Sequence, residues 1–233
     1  MVEGLGHKNI AIKVKSPLAK MGSLFIENDF RFYLYQKWSL FVGVCTTKIS
    51  AVVYGRRLKI AKPYSIWGNI RFLMLGPGCI SIGRNFHAVS ARKRSLFTLF
   101  SPCHLTIIGD GRIEIGEHVG LNGTTIASRD RISIGDYTMI GPNTFILDHD
   151  GHSAWPPRDR WTTTGTTAPV VIEQDVWIGM NCTILKGVTI GCGSIIAAGS
   201  VVIKDVEPNS LYAGNPAIKI KSLNNQDKQN ASS

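Results

Sequence analysis

Aliphatic residues recur along this chain at a spacing of six. From Ile172 they fall in register at Ile178, Ile184, Ile190, Ile196 and Val202, and four residues beyond each stands a small or β-branched one: Val176, Cys182, Val188, Ser194, Ser200, Val206. The period continues upstream through Ile134-Gly135, Ile140-Gly141 and Ile146, and more raggedly through Ile115-Gly116 and Leu121, with echoes at Ile108-Gly109 and Ile82-Gly83. Six is neither the 3.6 of a helix nor the alternation of one long strand. It predicts a short strand and a turn repeated many times. Each hexad then forms one flat side of a triangular coil, and its aliphatic residue points inward onto those above and below. Glycine beside the aliphatic position is expected to permit the tight corner.

One such coil cannot bury its own inner face, so coils must stack. Residues 64–208 are predicted to form an all-β solenoid of about six or seven coils. Two stretches interrupt it: Ala91 to Cys103, which contains Arg92-Lys93-Arg94, and Asp148 to Ala168, rich in Pro, Trp and Thr. Loops on a rigid scaffold often carry function, which directs attention to the second. Residues 1–63 form a separate N-terminal segment, and residues 209–233 a C-terminal turn and tail. From 224 onward Ala231 is the only apolar residue, so that end is expected to be frayed.

The 44% apolar and 18% charged composition belongs to a globular protein. The net charge of +10 is unevenly placed: residues 1–63 hold 11 Lys/Arg against 3 Asp/Glu, a balance of +8. From Phe30 to Val44 aromatics mix with cations, and Arg56-Arg57-Leu58-Lys59 follows. Two readings of the segment stand: a cap over one end of the solenoid, or a basic element resting on anionic lipid. The uncharged run from Trp38 to Thr47 has 10 residues, about half a bilayer span, which argues against a transmembrane helix. No nucleic-acid-binding motif accompanies the charge, so nucleic acid is not an expected partner. The five cysteines include no CxxC pair, and the N-terminus shows no apolar run followed by a small-residue cleavage site. The expected location is the cytoplasm, at the inner face of the membrane if the N-terminal segment rests on lipid.

The segments Val176-Trp177-Ile178-Gly179, Gly187-Val188-Thr189-Ile190-Gly191, Ala197-Ala198-Gly199-Ser200-Val201-Val202-Ile203-Lys204-Asp205 and Ala213-Gly214-Asn215-Pro216-Ala217 together resemble the hexapeptide-repeat acyltransferases. The resemblance is to the branch holding maltose, galactoside, nodulation-factor and polysaccharide O-acetyltransferases, and is dense over about residues 107–221. It implies a left-handed parallel β-helix, assembled as a homotrimer with active sites between subunits. It also implies acetyl-CoA as acyl donor, with no metal needed for catalysis.

In similar enzymes the first histidine of a His-x-x-His loop is the catalytic base, which selects His149 of Leu147-Asp148-His149-Asp150-Gly151-His152-Ser153. A hydroxyl is scarcely ionised at neutral pH, so a base must take its proton as it attacks the thioester. Neutral imidazole suits that task. Asp148, Asp150 and His152 are candidates to support it. The resemblance further implies Trp177, Gly179 and Met180 beside the thioester and pantetheine, Ala198 at the pantetheine amides, and Lys204, Lys219 and Lys221 toward the CoA phosphates. Met180 stands where Ser is frequent and Ile203 where Thr is common, so only backbone contacts carry over there. Trp155, Arg158 and Trp161 of the long loop could hold an acceptor, since aromatic rings beside polar groups suit sugar faces.

The function so implied is O-acetylation of a saccharide hydroxyl, such as a cell-surface polysaccharide or O-antigen precursor, by direct transfer. The alternatives are N-acetylation of an amino sugar or antibiotic, a non-catalytic solenoid scaffold, and a zinc-dependent γ-type carbonic anhydrase drawing on His118, His149 and His152. The last is disfavoured by histidine spacing.

Overall fold

The computed structural model describes residues 17–92 and 95–223, with side chains from Tyr33 onward. It divides into two units, Met1–Lys37 and Trp38–Ser233. One helix, α1, spans Pro17–Tyr54. The described part of the first unit is helical throughout, and Lys37 Nζ lies 5.3 Å from the Tyr33 ring centroid.

The second unit is a parallel β-helix. Successive short strands go in turn to three sheets of six, eight and six strands, so each three strands complete one coil. The first sheet begins at Leu58–Ile60, the second at Tyr64–Trp67 and the third at Arg71–Leu75. The coil thus starts at Leu58, not at residue 64: Leu58 is buried and pairs with Ile80, although no hexad pattern marks it. The C-terminal segment also departs from expectation. Residues Ser210–Gly214 and Ala217–Ser222 form an antiparallel hairpin that closes the second sheet, and Leu211 pairs with Ile195 of the last coil. Residues 224–233, expected to be frayed, lie outside the described residues.

Stacking of like residues holds the coils together. Ile146 pairs in register with Ile126 below and Ile184 above, and Val202 follows; all four are buried. The second positions of the hexads, from Val176 to Val206, are buried as well. Backbone hydrogen bonds run from coil to coil, as from Trp177 N to the Ser194 carbonyl at 2.9 Å.

Gly109, at φ 61°, has the left-handed backbone expected of the glycine beside the aliphatic residue, but Gly135 and Gly179 do a different job. Gly135 and Gly179 do not have positive φ; a Cβ on Gly135 would sit 2.5 Å from Gln174 N, and one on Gly179 2.6 Å from Ala198 N. Close approach of the next coil excludes a side chain there. The left-handed residue comes three positions after the aliphatic one, at His118, Tyr137, Asn143, Asp175 and Asn181, where φ is 56–58°.

The two interruptions are excursions from corners. Residues 91–103 leave between the second and third sheets, and Asn143 tethers them through Thr98 O (2.9 Å) and Phe100 N (2.9 Å). The longer one, between Leu147 and Val170, leaves between the third and first sheets.

Ile146 is fully buried in the middle of its column. Ile146→Ala is expected to lower unfolding free energy by about 2–5 kcal/mol, read as an earlier urea midpoint, because the neighbouring coils cannot collapse into the space. An unchanged midpoint would refute stacking as the source of stability.

Candidate active site

The long loop leaves the coil as a narrow hairpin. Asp148 accepts at its carbonyl from Ala168 N (2.9 Å), Asp150 N donates to the Thr166 carbonyl (3.0 Å), and His149 bridges to Thr167. The hairpin is pinned to the coil beneath it by the Asp148 carboxylate. This side chain is fully buried, accepting from Ser128 Oγ (2.6 Å), Arg129 N (2.8 Å) and Asp130 N (3.0 Å). Its acceptor capacity is turned into the coil, so Asp148 fixes the loop that carries His149 and is not a hydrogen-bond partner of the His149 ring.

Asp150 is likewise engaged elsewhere. Its carboxylate pairs with Lys186 Nζ and accepts from Thr166 Oγ1 (3.1 Å). The Lys186 hydrogen bond holds its carboxyl below the usual carboxylate range, with smaller contributions from Thr166 and the His149 charge. With the folded value lowered, whatever the pair contributes to the loop is present above the unfolded carboxylate's pKa. It is lost only as pH falls through the lowered value.

His149 contacts Asp150 through the backbone instead. Its Nδ1 lies 3.2 Å from the Asp150 carbonyl oxygen. A carbonyl only accepts, so Nδ1 carries the proton and the lone pair of a neutral ring falls on Nε2. Nε2 is shielded from solvent and has no hydrogen-bond partner among the described residues. A buried lone pair without a donor is costly, and is the arrangement that a ligand hydroxyl would complete. His152 is exposed, with Nδ1 2.7 Å from the Arg160 carbonyl oxygen, bracing the loop across its own 3-10 turn, Pro157–Trp161. Trp155, Arg158 and Trp161 lie exposed on the same loop.

The other predicted residues gather on later coils. Trp177 is exposed on the second sheet, in register with Met139 below and Ile195 above. Met180 accepts at its carbonyl from Gly199 N (2.8 Å), and Ala198 is exposed beside that contact. Lys219 is paired with Glu207 (2.6 Å) at the surface. Lys221 is exposed on the terminal hairpin. Lys204 is exposed two residues beyond Val202, as Lys186 is two residues beyond Ile184, and those two residues pair. Lys186 and Lys204 therefore stack at the corner from which the His149 loop departs.

Sequence reasoning missed Lys186, whose role depends on a lysine and an aspartate 36 residues apart meeting at one corner. It also missed a notch on the second sheet. Gly120 stands in register between His87 and Met139, and the missing side chain opens a cavity of about 270 Å³ lined by His87, Asn122, Met139 and Trp177. The Asn122 side-chain oxygen is buried there without a hydrogen-bond partner among the described residues.

A profile described as bacterial transferase hexapeptide (six repeats) matches residues 169–204. An Escherichia coli K12 protein named for lipopolysaccharide biosynthesis O-acetyl transfer, WbbJ, is 30% identical over 201 residues, covering 73% of this chain and 96% of its own. The chain belongs to the hexapeptide-repeat acyltransferase family. Galactoside O-acetyltransferase of the same bacterium is 38% identical over 118 residues, 48% of this chain and 56% of its own, so the match spans about half of that enzyme. A Schizosaccharomyces pombe relative is matched over 45% of its length. In fold, the chain resembles AntD, an N-acyltransferase from Bacillus cereus, with a TM-score of 0.59 and 21% identity, covering 79% of this chain and 94% of that one. This member of the family is an acyltransferase on the left-handed β-helix.

The two acidic neighbours of His149 should separate from it in experiment. Asp148→Ala leaves the Arg129 and Asp130 N–H groups without an acceptor, while the Ser128 hydroxyl can still donate to the Arg112 carbonyl (3.0 Å), and should cost roughly 3 kcal/mol of stability, with activity falling as the loop detaches. His149→Ala should lower kcat about 10²- to 10⁴-fold while the unfolding free energy from urea melts stays within about 0.5 kcal/mol of the parent. Equal loss of stability in both variants would make His149 structural.

Proposed function

We propose that this acyltransferase moves the acetyl group of acetyl-CoA to a saccharide hydroxyl, with His149 Nε2 as general base. The observation that carries the reading is the state of that ring: Nδ1–H is committed to the Asp150 carbonyl, and Nε2 is left without a partner. The hydroxyl proton passes to Nε2 as its oxygen bonds to the acetyl carbon, and the carbon–sulfur bond breaks to release CoA as thiolate. The imidazolium then returns the proton to the thiolate. No protein nucleophile is needed. Cys103 and Cys182 are buried, and burial pushes both thiols up, away from reactivity.

The donor fits what the coil offers. Trp177 with Ile195 and Leu211 forms an apolar strip in register, Gly179 lets the coils close beside Ala198, and Lys204 presents a cation. WbbJ and galactoside O-acetyltransferase are named as O-acetyltransferases, which favours oxygen as acceptor, while the aromatic loop residues Trp155 and Trp161 suit a sugar face. A polysaccharide or O-antigen precursor is the proposed acceptor. N-acetylation is the second reading, since the fold shared with AntD does not by itself separate oxygen from nitrogen acceptors.

Within one chain His149 stands at the corner between the third and first sheets, whereas Trp177 lies on the second. A site using both is completed by a second copy, and the proposed assembly is a trimer with three such sites.

Free-thiol release on a panel of nucleotide sugars tests the reading. His149→Ala should lower kcat about 10²- to 10⁴-fold with the acetyl-CoA KM unchanged, and His152→Ala should keep most activity. Preserved turnover in His149→Ala overturns the mechanism; thiol release with amino sugars alone selects the N-acetyl reading. Sedimentation equilibrium should return three times the chain mass, and a monomer active by itself would remove the shared site.

A further inference from the structure

Residues 38–57 are amphipathic in the reverse sense from an ordinary surface helix. Toward the coil the helix turns small and polar positions at i, i+4 and i+8: Ser39, Gly43 and Thr47. Ser39 and Thr47 are buried, the Ser39 carbonyl accepts from Gly68 N (2.9 Å), and a Cβ on Gly43 would overlap the Ile66 carbonyl. Farther on, Tyr54 donates to the Phe72 carbonyl (3.0 Å). Outward it turns Trp38, Phe41, Ile49, Val52 and Val53, which are 60–83% exposed. Large apolar groups left in water along one stripe mark a surface that something covers.

Charge identifies what covers it. From Phe30 to Gly109 the sequence holds 12 Lys/Arg and not one Asp or Glu. Lys48, Arg56, Lys59 and Lys62 are exposed beside the stripe. Two copies meeting through this face would bring like charges together with no carboxylate between them. Nucleic acid would meet the cations but leave the aliphatic stripe unused. We infer that this helix docks the enzyme on an anionic bilayer, its apolar stripe sunk among the acyl-chain ends and its cations among the phosphates.

The helix lies on the membrane and does not cross it. Tyr33–Arg57 is long and apolar enough to span by length and composition, with a mean hydropathy of 1.2, so the run of 10 uncharged residues understated it. Yet contacts with the coil run from Ser39 to Tyr54, about 24 Å of helix, and a helix so held cannot be surrounded by lipid. The cap and lipid-surface readings of this segment are therefore two faces of one element. A groove of about 480 Å³ opens alongside, where Ile49 of the stripe meets Arg71 and His104, wide enough for a lipid headgroup.

Docking is independent of the acyl-transfer chemistry, and its test is separable. Vesicles of phosphatidylcholine with and without phosphatidylglycerol are floated with the full chain and with Phe41→Glu/Ile49→Glu/Val52→Glu. The parent should bind phosphatidylglycerol vesicles at least tenfold better than neutral ones, and high salt should remove that preference. The triple variant should lose at least tenfold in partitioning while its far-UV spectrum, oligomeric mass and thiol release with soluble acceptors persist. Indifference of the parent to phosphatidylglycerol and salt would overturn the inference without reference to any variant. So would a triple variant that floats as well as the parent, or one that fails to float only because its oligomeric mass has changed, which would assign the stripe to a second copy. Should the triple variant not fold, Val52→Glu alone, at the most exposed position, is read in the same way.

Discussion

A single coil of this protein has an inside only because another coil lies above and below it. Each contributes three short strands, some only two residues long, whose inward aliphatic residues have no partner within their own turn. Ile126, Ile146, Ile184 and Val202 show the solution along one side: like residues in register, shielded by one another, with every strand's backbone paired to its neighbours. Interrupting the column at one level exposes apolar surface on two. That constraint explains why the hexad is kept so strictly from Ile172 to Val202, and why glycine recurs where the next coil's backbone comes closest.

The same rigidity makes the corners useful. A corner can release a long loop without disturbing the stack if the loop's two ends meet again, as the residues flanking His149 do. Asp148 converts that exit into a fixed geometry by spending a buried carboxylate on three donors of the coil below. His149 then needs only one further contact, the Asp150 carbonyl, to set its tautomer. The loop that carries His149 thus rests on a polar anchor in an otherwise aliphatic scaffold, and the two carboxylates beside the histidine find their hydrogen bonds elsewhere, Asp148 in the coil and Asp150 at Lys186 and Thr166.

Where the solenoid ends, stacking must stop and the last inner face must be covered. The helix covers the first coil with small polar residues, and the hairpin of Ser210–Ser222 closes the other end of the second sheet. Covering the end with Ser39, Gly43 and Thr47 leaves the helix's large apolar residues facing away from the protein. Capping, and the membrane docking proposed for this helix, follow from a single choice of which side the helix presents.

The period of six, read without any structure, determined the coil, its core positions and the two places where loops leave. It did so because inward residues repeat on a backbone whose geometry hardly varies from turn to turn. Resemblance in the Trp-Ile-Gly and Gly-Asn-Pro-Ala segments carried the expectation of an acyltransferase, and the His-x-x-His spacing of its loop the choice of His149. Contacts between residues far apart in the chain lay beyond either. Leu58 joins the coil without a hexad to mark it, Asp148 turns inward to Ser128 instead of toward the base, and Asp150 finds Lys186 across 36 residues. Alternation along the hairpin turns His149 to the opposite side from Asp148 and Asp150, and those two differ in turn because Asp148 reaches Ser128 of an earlier coil while Asp150 reaches Lys186 of a later one, contacts settled only when the coils have stacked.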